Sequence, residues 1–267
     1  MSEATKTYWN ERSDAYFAEG EIERDLAEIE ADPSRAFPSG VWAMLRDAAP
    51  DFHGTRVLVP SAGDHLAAFA FSRLGASVVA ADISERQIEN ARRIAKARGI
   101  PAEFRLADSQ TLRGIESGAF DLAYTSNGTH VWIPDLGAMY RSIRRALRPG
   151  GTYAFFETHP FHRPFEGEGA DFRIARSYSD LGGPPESITH RWRIEDFLRA
   201  LIASGFAIED FRELFSRPGE PMAYAWHYKT RAEREADGGA KYDWARNPSA
   251  ALPSWIAVRV ACKDGVR

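Results

Sequence analysis

Residues 56–82 read RVLVPSAGDHLAAFAFSRLGASVVAAD. A short apolar run, 56–60, leads into a turn, and Leu66, Phe69, Ala70 and Leu74 then recur at helical spacing. Gly75 ends that helix, a second apolar run covers 77–81, and Asp82 follows it. Strand, turn, helix, strand and acid make up the opening of an α/β domain that holds its ligand at the carboxyl ends of parallel strands. The turn itself, Ser61-Ala62-Gly63-Asp64-His65, lacks the three glycines of a dinucleotide fold.

The same rhythm continues down the chain. Ser84 and Gln87 have capping-box spacing, and Ile83 and Ile88 stand where a hydrophobic staple closes. That helix runs to Arg98 and stops at Gly99. A third strand, 102–106, ends near Asp108, and a fourth, FDLAYTS, ends near Asn127. A helix over about 136–147 precedes Arg148-Pro149-Gly150-Gly151, which turns into a fifth strand, TYAFFE. A helix near 194–204, a strand FAIEDFREL and a last strand SWIAVRVAC complete the pattern. Ahead of it, 7–48 reads as helices broken near Gly20 and Pro33. The expected fold is α/β, a Rossmann-like doubly wound sheet, mostly parallel. Two stretches, 158–190 and 216–250, fall outside the rhythm and read as insertions over the active edge.

Composition narrows the class. The 267 residues are 44% hydrophobic and 27% charged, which suits one globular domain with insertions. A net charge of −4 argues against a general surface for nucleic acid. The single cysteine, Cys262, makes no internal disulfide, in keeping with a cytoplasmic location. The polar, acidic start MSEATKTYWNERSD is no secretory signal, and no apolar run has the roughly 20 residues of a spanning helix, so no membrane partner is expected. Oligomeric state is not legible.

A phosphate fits the turn poorly. Ser61 stands at the first glycine position, and Asp64 at the helix start repels an anion there. Asp82 still suits a ribose diol, so the ligand carries an adenosine without phosphates. S-adenosylmethionine meets that description. An acid after strand two grips its ribose, an acid after strand three reads its adenine amino group, and its cationic methionyl part favours carboxylates and aromatic faces. Asp82 and Asp108 occupy those strand ends.

With VLVPSAGDH, VVAADIS, FRLADSQTL, FDLAYTSNGTHVWIPDL and ALRPGGTYAFFETHPF in this order, the chain resembles the class I S-adenosylmethionine-dependent methyltransferases, in particular the small-molecule branch. The resemblance covers about 50–160 and, more loosely, 190–215. It implies an antiparallel last strand, supplied by SWIAVRVAC. It also implies an N-terminal helical lid over 1–50 on a cofactor-binding domain of 51–267. The family usually has an acid at Val59 and glycine at Ser61 and His65, so Gly63 is left as the glycine of close approach.

The expected cofactor residues are Ser61, Gly63, Asp82, Ile83, Asp108, Ser109, Asn127 and, from the lid, Tyr8. His130 and His159, just past strands four and five, are candidate general bases. Trp132, His162 and Tyr16 are expected to face the acceptor, and no metal site is expected. The expected activity is in-line methyl transfer to a small molecule, leaving S-adenosylhomocysteine. Two alternatives stay open on sequence: a nicotinamide-dependent oxidoreductase, and a non-catalytic module that binds S-adenosylmethionine.

Overall fold

The computed structural model describes residues 2–18, 21–167, 169–181 and 187–263. Three helices come first: α1 (Glu3–Ala18), α2 (Glu21–Ala31) and α3 (Ser39–Ala48). The alternating body follows as β1 (Arg56–Pro60), α4 (Leu66–Arg73), β2 (Ser77–Asp82), α5 (Glu85–Arg98), β3 (Ala102–Leu106), β4 (Phe120–Thr125), α6 (Leu136–Ala146) and β5 (Leu147–Thr158). A small hairpin, β6 (Phe165–Glu166) with β7 (Arg173–Ile174), occupies the first insertion. The chain resumes with α7 (Ile194–Ala203) and β8 (Phe206–Leu214), passes through α8 (Arg231–Asp237) in the second insertion, and ends on β9 (Trp255–Cys262).

The large sheet runs β3-β2-β1-β4-β5-β9-β8. Strands β1 to β5 are parallel, and β9 is antiparallel to both β5 and β8. From β1 the chain winds outward first through β2 and β3, then through β4 and β5. The crevice between the carboxyl ends of β1 and β4 is therefore the topological switch point, where such sheets bind ligands.

Side-chain alternation along each strand splits the core into two layers. On β1, Val57 and Val59 face one layer with α4 and α5, while Leu58 faces the other with α6 and α7. The N-terminal helices are continuous with the first layer. Ile22, Leu26, Ile29, Phe37 and Val41 are buried in the same cluster as Phe69, Phe71 and Phe156. Helix α4 lies between α2 and the sheet, which is why seven of its eight residues are buried. No helix among the described residues is long and apolar enough to cross a membrane.

Candidate cofactor site

The turn after β1 keeps the backbone shape of a glycine-rich loop with only one glycine. Ser61, Gly63 and His65 all have positive φ, at 51°, 54° and 62°. For serine and histidine this left-handed conformation costs about 1–2 kcal/mol each. The surroundings hold it in place. Ala62 N donates to Ala81 O at 3.0 Å, and the Ser61 and Ser109 hydroxyls are hydrogen-bonded at 2.5 Å. His65 is fully buried between Phe69 and Phe104, its ring nitrogens have no partner among the described residues, and burial pushes its pKa down to about 3. It is a core residue, not a neighbour of the ligand. A Cβ on Gly63 would meet nothing within 4 Å among the described residues, because that side faces open space.

The open space is a cavity of about 340 Å³ at the switch point. Asp82, at the end of β2, forms its anionic wall. Gly63 N donates to Asp82 Oδ2 at 3.1 Å, and Ser84 N donates to Oδ1 at 2.9 Å. Burial pushes this carboxyl up to about 6 against the opposing pull of those two N–H groups. Each carboxylate oxygen retains a lone pair for a ligand hydroxyl.

The capping box is half made. Ser84 Oγ accepts from Gln87 N at 3.1 Å, but Asp82 has taken the Ser84 N–H that Gln87 was expected to satisfy. The Gln87 amide, in a residue 1% exposed, therefore has no hydrogen-bond partner among the described residues and lines the cavity. A buried amide without partners costs about 1–3 kcal/mol, so it is a group awaiting a ligand.

Helix α1 closes the cavity from above, fastened to the start of α5. Ser84 Oγ donates to Asn10 Oδ1 at 2.6 Å, Asn10 Nδ2 donates to Glu85 at 3.1 Å, and Arg86 grips Asp14 in a fork at 2.7 and 2.8 Å. This places Trp9 in the cavity lining, its ring 5.2 Å from that of Trp132. The opposite wall is the loop after β4, where Ser126 to Thr129 and Val131 reach the cavity.

That loop is shaped by Glu157 on β5. Its carboxylate accepts from Gly128 N and His130 N at 2.9 Å and from Thr158 N at 2.8 Å, and it faces His130 Nδ1 at 3.2 Å. Burial alone would raise its pKa. The bonds from His130 and Gly128 outweigh that, so Glu157 stays ionised, with a pKa below the usual carboxylate range.

Ser61, Gly63, Asp82, Ile83, Asn127 and Trp132 thus come together around one cavity. Asp108 lies in an adjoining cavity of about 320 Å³ that shares Ile83 with the first, and its Oδ1 accepts from Gln110 N at 2.8 Å. Ser109 is buried and acts through Ser61. Tyr8 is not in the lining. It packs behind Trp132 at 5.0 Å, and its neighbour Trp9 takes the expected place. The Tyr16 side chain lies outside the described residues.

The histidines depart furthest from expectation, for none lines this cavity. His130 is fully buried, its ring 4.6 Å from Phe155 and 5.1 Å from Phe197. Being next to β4 in sequence put it at the sheet edge, but the bond to Glu157 draws it into the core. His159 is also buried. Its Nε2 donates to Glu213 at 3.0 Å and its Nδ1 accepts from Phe161 N at 3.2 Å, so both nitrogens are engaged. Burial, opposed by Glu213, lowers its pKa. His162 belongs to a separate cavity. Trp9 and Gln87 are among the lining residues not expected from sequence, as are Ser126, Gly128, Thr129 and Val131 of the loop after β4.

This geometry agrees with what comparison with known proteins shows. Residues 60–151 match the family described as Methyltransferase domain. A solved S-adenosylmethionine-dependent methyltransferase from Mesorhizobium loti is similar over 82% of this chain and 96% of its own, with 26% identity and a TM-score of 0.61. The chain has the Rossmann-like class I methyltransferase fold, and it is similar to S-adenosylmethionine-dependent methyltransferases over most of its length. Among characterised relatives, a ubiquinone biosynthesis O-methyltransferase from Methylocella silvestris is 31% identical over 169 residues, 62% of this chain and 63% of its own length. A sterol 24-C-methyltransferase from Aspergillus fumigatus is 27% identical over 154 residues, 57% of this chain and 39% of its own length. The chain thus spans less than two thirds of either relative. The cavity suits S-adenosylmethionine on its own chemistry. It offers a buried acid, an unsatisfied amide, a glycine facing open space and an aromatic roof, and Asp64 and Asp82 in its lining discourage a phosphate.

Proposed function

We propose that this methyltransferase moves the methyl group of S-adenosylmethionine to a small-molecule acceptor. Bound at the switch point, the cofactor supplies a methyl already activated on a sulfonium. The observation that carries the proposal is the Asp82–Gln87 pair in one cavity, a carboxylate and an unsatisfied amide on the surface that faces a ribose in this fold. Asp82 accepts from the ribose hydroxyls, Gln87 offers both a donor and an acceptor beside them, and Asp108 serves the adenine side. Gly63 lets the backbone approach, and Asn127 with its loop receives the methionyl part. Trp9 and Trp132 exclude water and present ring faces to the cationic centre.

Because neither His130 nor His159 lines the cofactor cavity, and Glu157 and Glu213 hold one ring nitrogen of each, they brace the loops after β4 and β5 rather than remove an acceptor proton. Rate enhancement then comes from holding the acceptor in line with the methyl group, which is worth several kcal/mol without a base. Of the 1–50 segment, α1 acts as the lid while α2 and α3 belong to the core, and the single buried thiol, Cys262, is in keeping with a cytoplasmic enzyme.

Calorimetry with S-adenosylhomocysteine, NAD⁺ and NADP⁺ tests the assignment. Binding of the first alone is expected. Binding of either dinucleotide with equal affinity overturns it. Transfer of radiolabelled methyl from S-adenosylmethionine across a panel of phenols, amines and carboxylates then reads the acceptor class.

A further inference from the structure

The two insertions enclose a second cavity, of about 600 Å³, which shares no lining residue with the cofactor cavity. Its size is that of a small-molecule site, on the order of 300–1,000 Å³. His162, at the end of the short turn after β5, forms one side together with the hairpin β6–β7. The stretch around α8 forms the other.

Two kinds of surface meet there. The first is flat and aromatic. Phe165 and Phe172 stack at 4.7 Å with their planes 9° apart, and Trp226 lies 5.0 Å from the His162 ring. The second is cationic, made by Lys229, Lys241 and Arg246. Lys241 pairs with Glu233, and Arg246 approaches Asp243 at 3.9 Å, but no carboxylate is among the described lining residues. Burial pushes His162 and His227 down to about 4, so both are neutral at pH 7 and the positive charge rests on the two lysines and the arginine. His162 Nε2 donates to Pro253 O at 2.8 Å, which fixes the ring beside the aromatic surface.

We propose that this cavity binds a small organic anion, a carboxylate carried on a flat ring. The ring packs against Phe165, Phe172 and Trp226, while the carboxylate is met by Lys229, Lys241 and Arg246. Charge-assisted bonds of that kind are roughly twice as strong as neutral ones, so they select an acid over its amide. The proposal is independent of the methyl-transfer assignment, since the two cavities have separate linings.

The test uses the full chain with 2-naphthoate and its neutral counterpart, naphthalene-2-carboxamide, titrated by calorimetry and saturation-transfer NMR. Naphthoate is expected to bind at least about tenfold more tightly than the amide. Combining Lys229→Gln with Lys241→Gln should weaken naphthoate by a similar factor, and Trp226→Leu should weaken acid and amide alike. All these variants should keep their affinity for S-adenosylhomocysteine. Arg246→Gln, at an exposed position, provides a second charge deletion should the lysine pair be needed for folding. Asp82→Ala should weaken S-adenosylhomocysteine by about tenfold or more and keep naphthoate, which separates failure here from failure of the cofactor assignment. Equal binding of acid and amide, unchanged naphthoate binding in the charge variants, or no naphthoate binding at millimolar concentration overturns the proposal.

Discussion

Glu157 on β5 holds Gly128, a residue of the cofactor-cavity wall, through a 2.9 Å hydrogen bond from the Gly128 N–H to its buried carboxylate. The same carboxylate accepts from His130 N and Thr158 N, so one ion sets the shape of the loop after β4. Glu157→Gln puts an NH₂ group against one of these donors. It should cost about 2–4 kcal/mol, the scale of one or two charge-assisted bonds. The folded-state pKa lies below the ordinary 4.5, so this stability is present above pH 4.5 and is lost as pH falls through the folded value. Urea unfolding at neutral and acidic pH reads both effects. A variant with wild-type midpoints throughout would show that Glu157 carries no such load.

Asp82 gives the cofactor site a pH dependence near neutrality. Its carboxyl titrates at about 6, and only the ionised form accepts two ribose hydroxyl bonds. Affinity for S-adenosylhomocysteine should rise as pH passes through 6 and level off above 7. Asp82→Asn should flatten the profile, and Asp82→Ala should weaken binding by about 1.5–3 kcal/mol. Calorimetry from pH 5 to 8 tests this, and an unaltered profile in the asparagine variant would remove Asp82 from the site.

Gln87→Leu should act in opposite directions on the two states. Without ligand, replacing an unsatisfied buried amide with an apolar side chain of similar size should stabilise the protein by about 1–2 kcal/mol. With S-adenosylhomocysteine present, affinity should fall by about tenfold or more. Thermal melts with and without ligand measure both. Destabilisation of the free protein with unchanged affinity would mean that Gln87 is plain core.

The turn can be probed at its one glycine. Gly63→Val adds a branched side chain at φ 54° on the side that faces the cavity, and should abolish cofactor binding. Ser61→Gly relieves left-handed strain but gives up the bond to Ser109, so its net effect on stability should stay within about 1 kcal/mol. Normal ligand affinity in the valine variant would show that the turn is not the cradle.

Local patterns announced the sheet, because strand–helix alternation and terminal residues such as Ser84 and Gly99 act over a few neighbours. Ser84 does cap α5, and Gly99 ends it at φ 61°. What escaped depends on contacts between distant segments. The spacing of Ser84 and Gln87 predicts reciprocal bonds, yet the direction of the Asp82 carboxylate decided which of them forms. One signal for Gln87 was present in the sequence. Together with Ile88, Ala91 and Ile94 it falls on the buried stripe of α5, where a polar residue needs a reason. Nothing near His130 shows that Glu157 stands opposite on the next strand, so its burial was not legible. In α1, four aromatic residues recur with weak periodicity, and the fastening of Asn10 to Ser84 decides that Trp9 faces inward.

The fastening of α1 also bears on how long a ligand stays. Trp9 and Trp132 stand in contact over the cavity, and Ser84 Oγ both caps α5 and donates to Asn10 on the helix that carries Trp9. Swinging α1 aside to widen the cavity mouth breaks bonds at the cap of its neighbour. Release of S-adenosylhomocysteine is therefore expected to be slower than free diffusion allows, and its residence time to shorten when the Asn10–Ser84 fastening is removed.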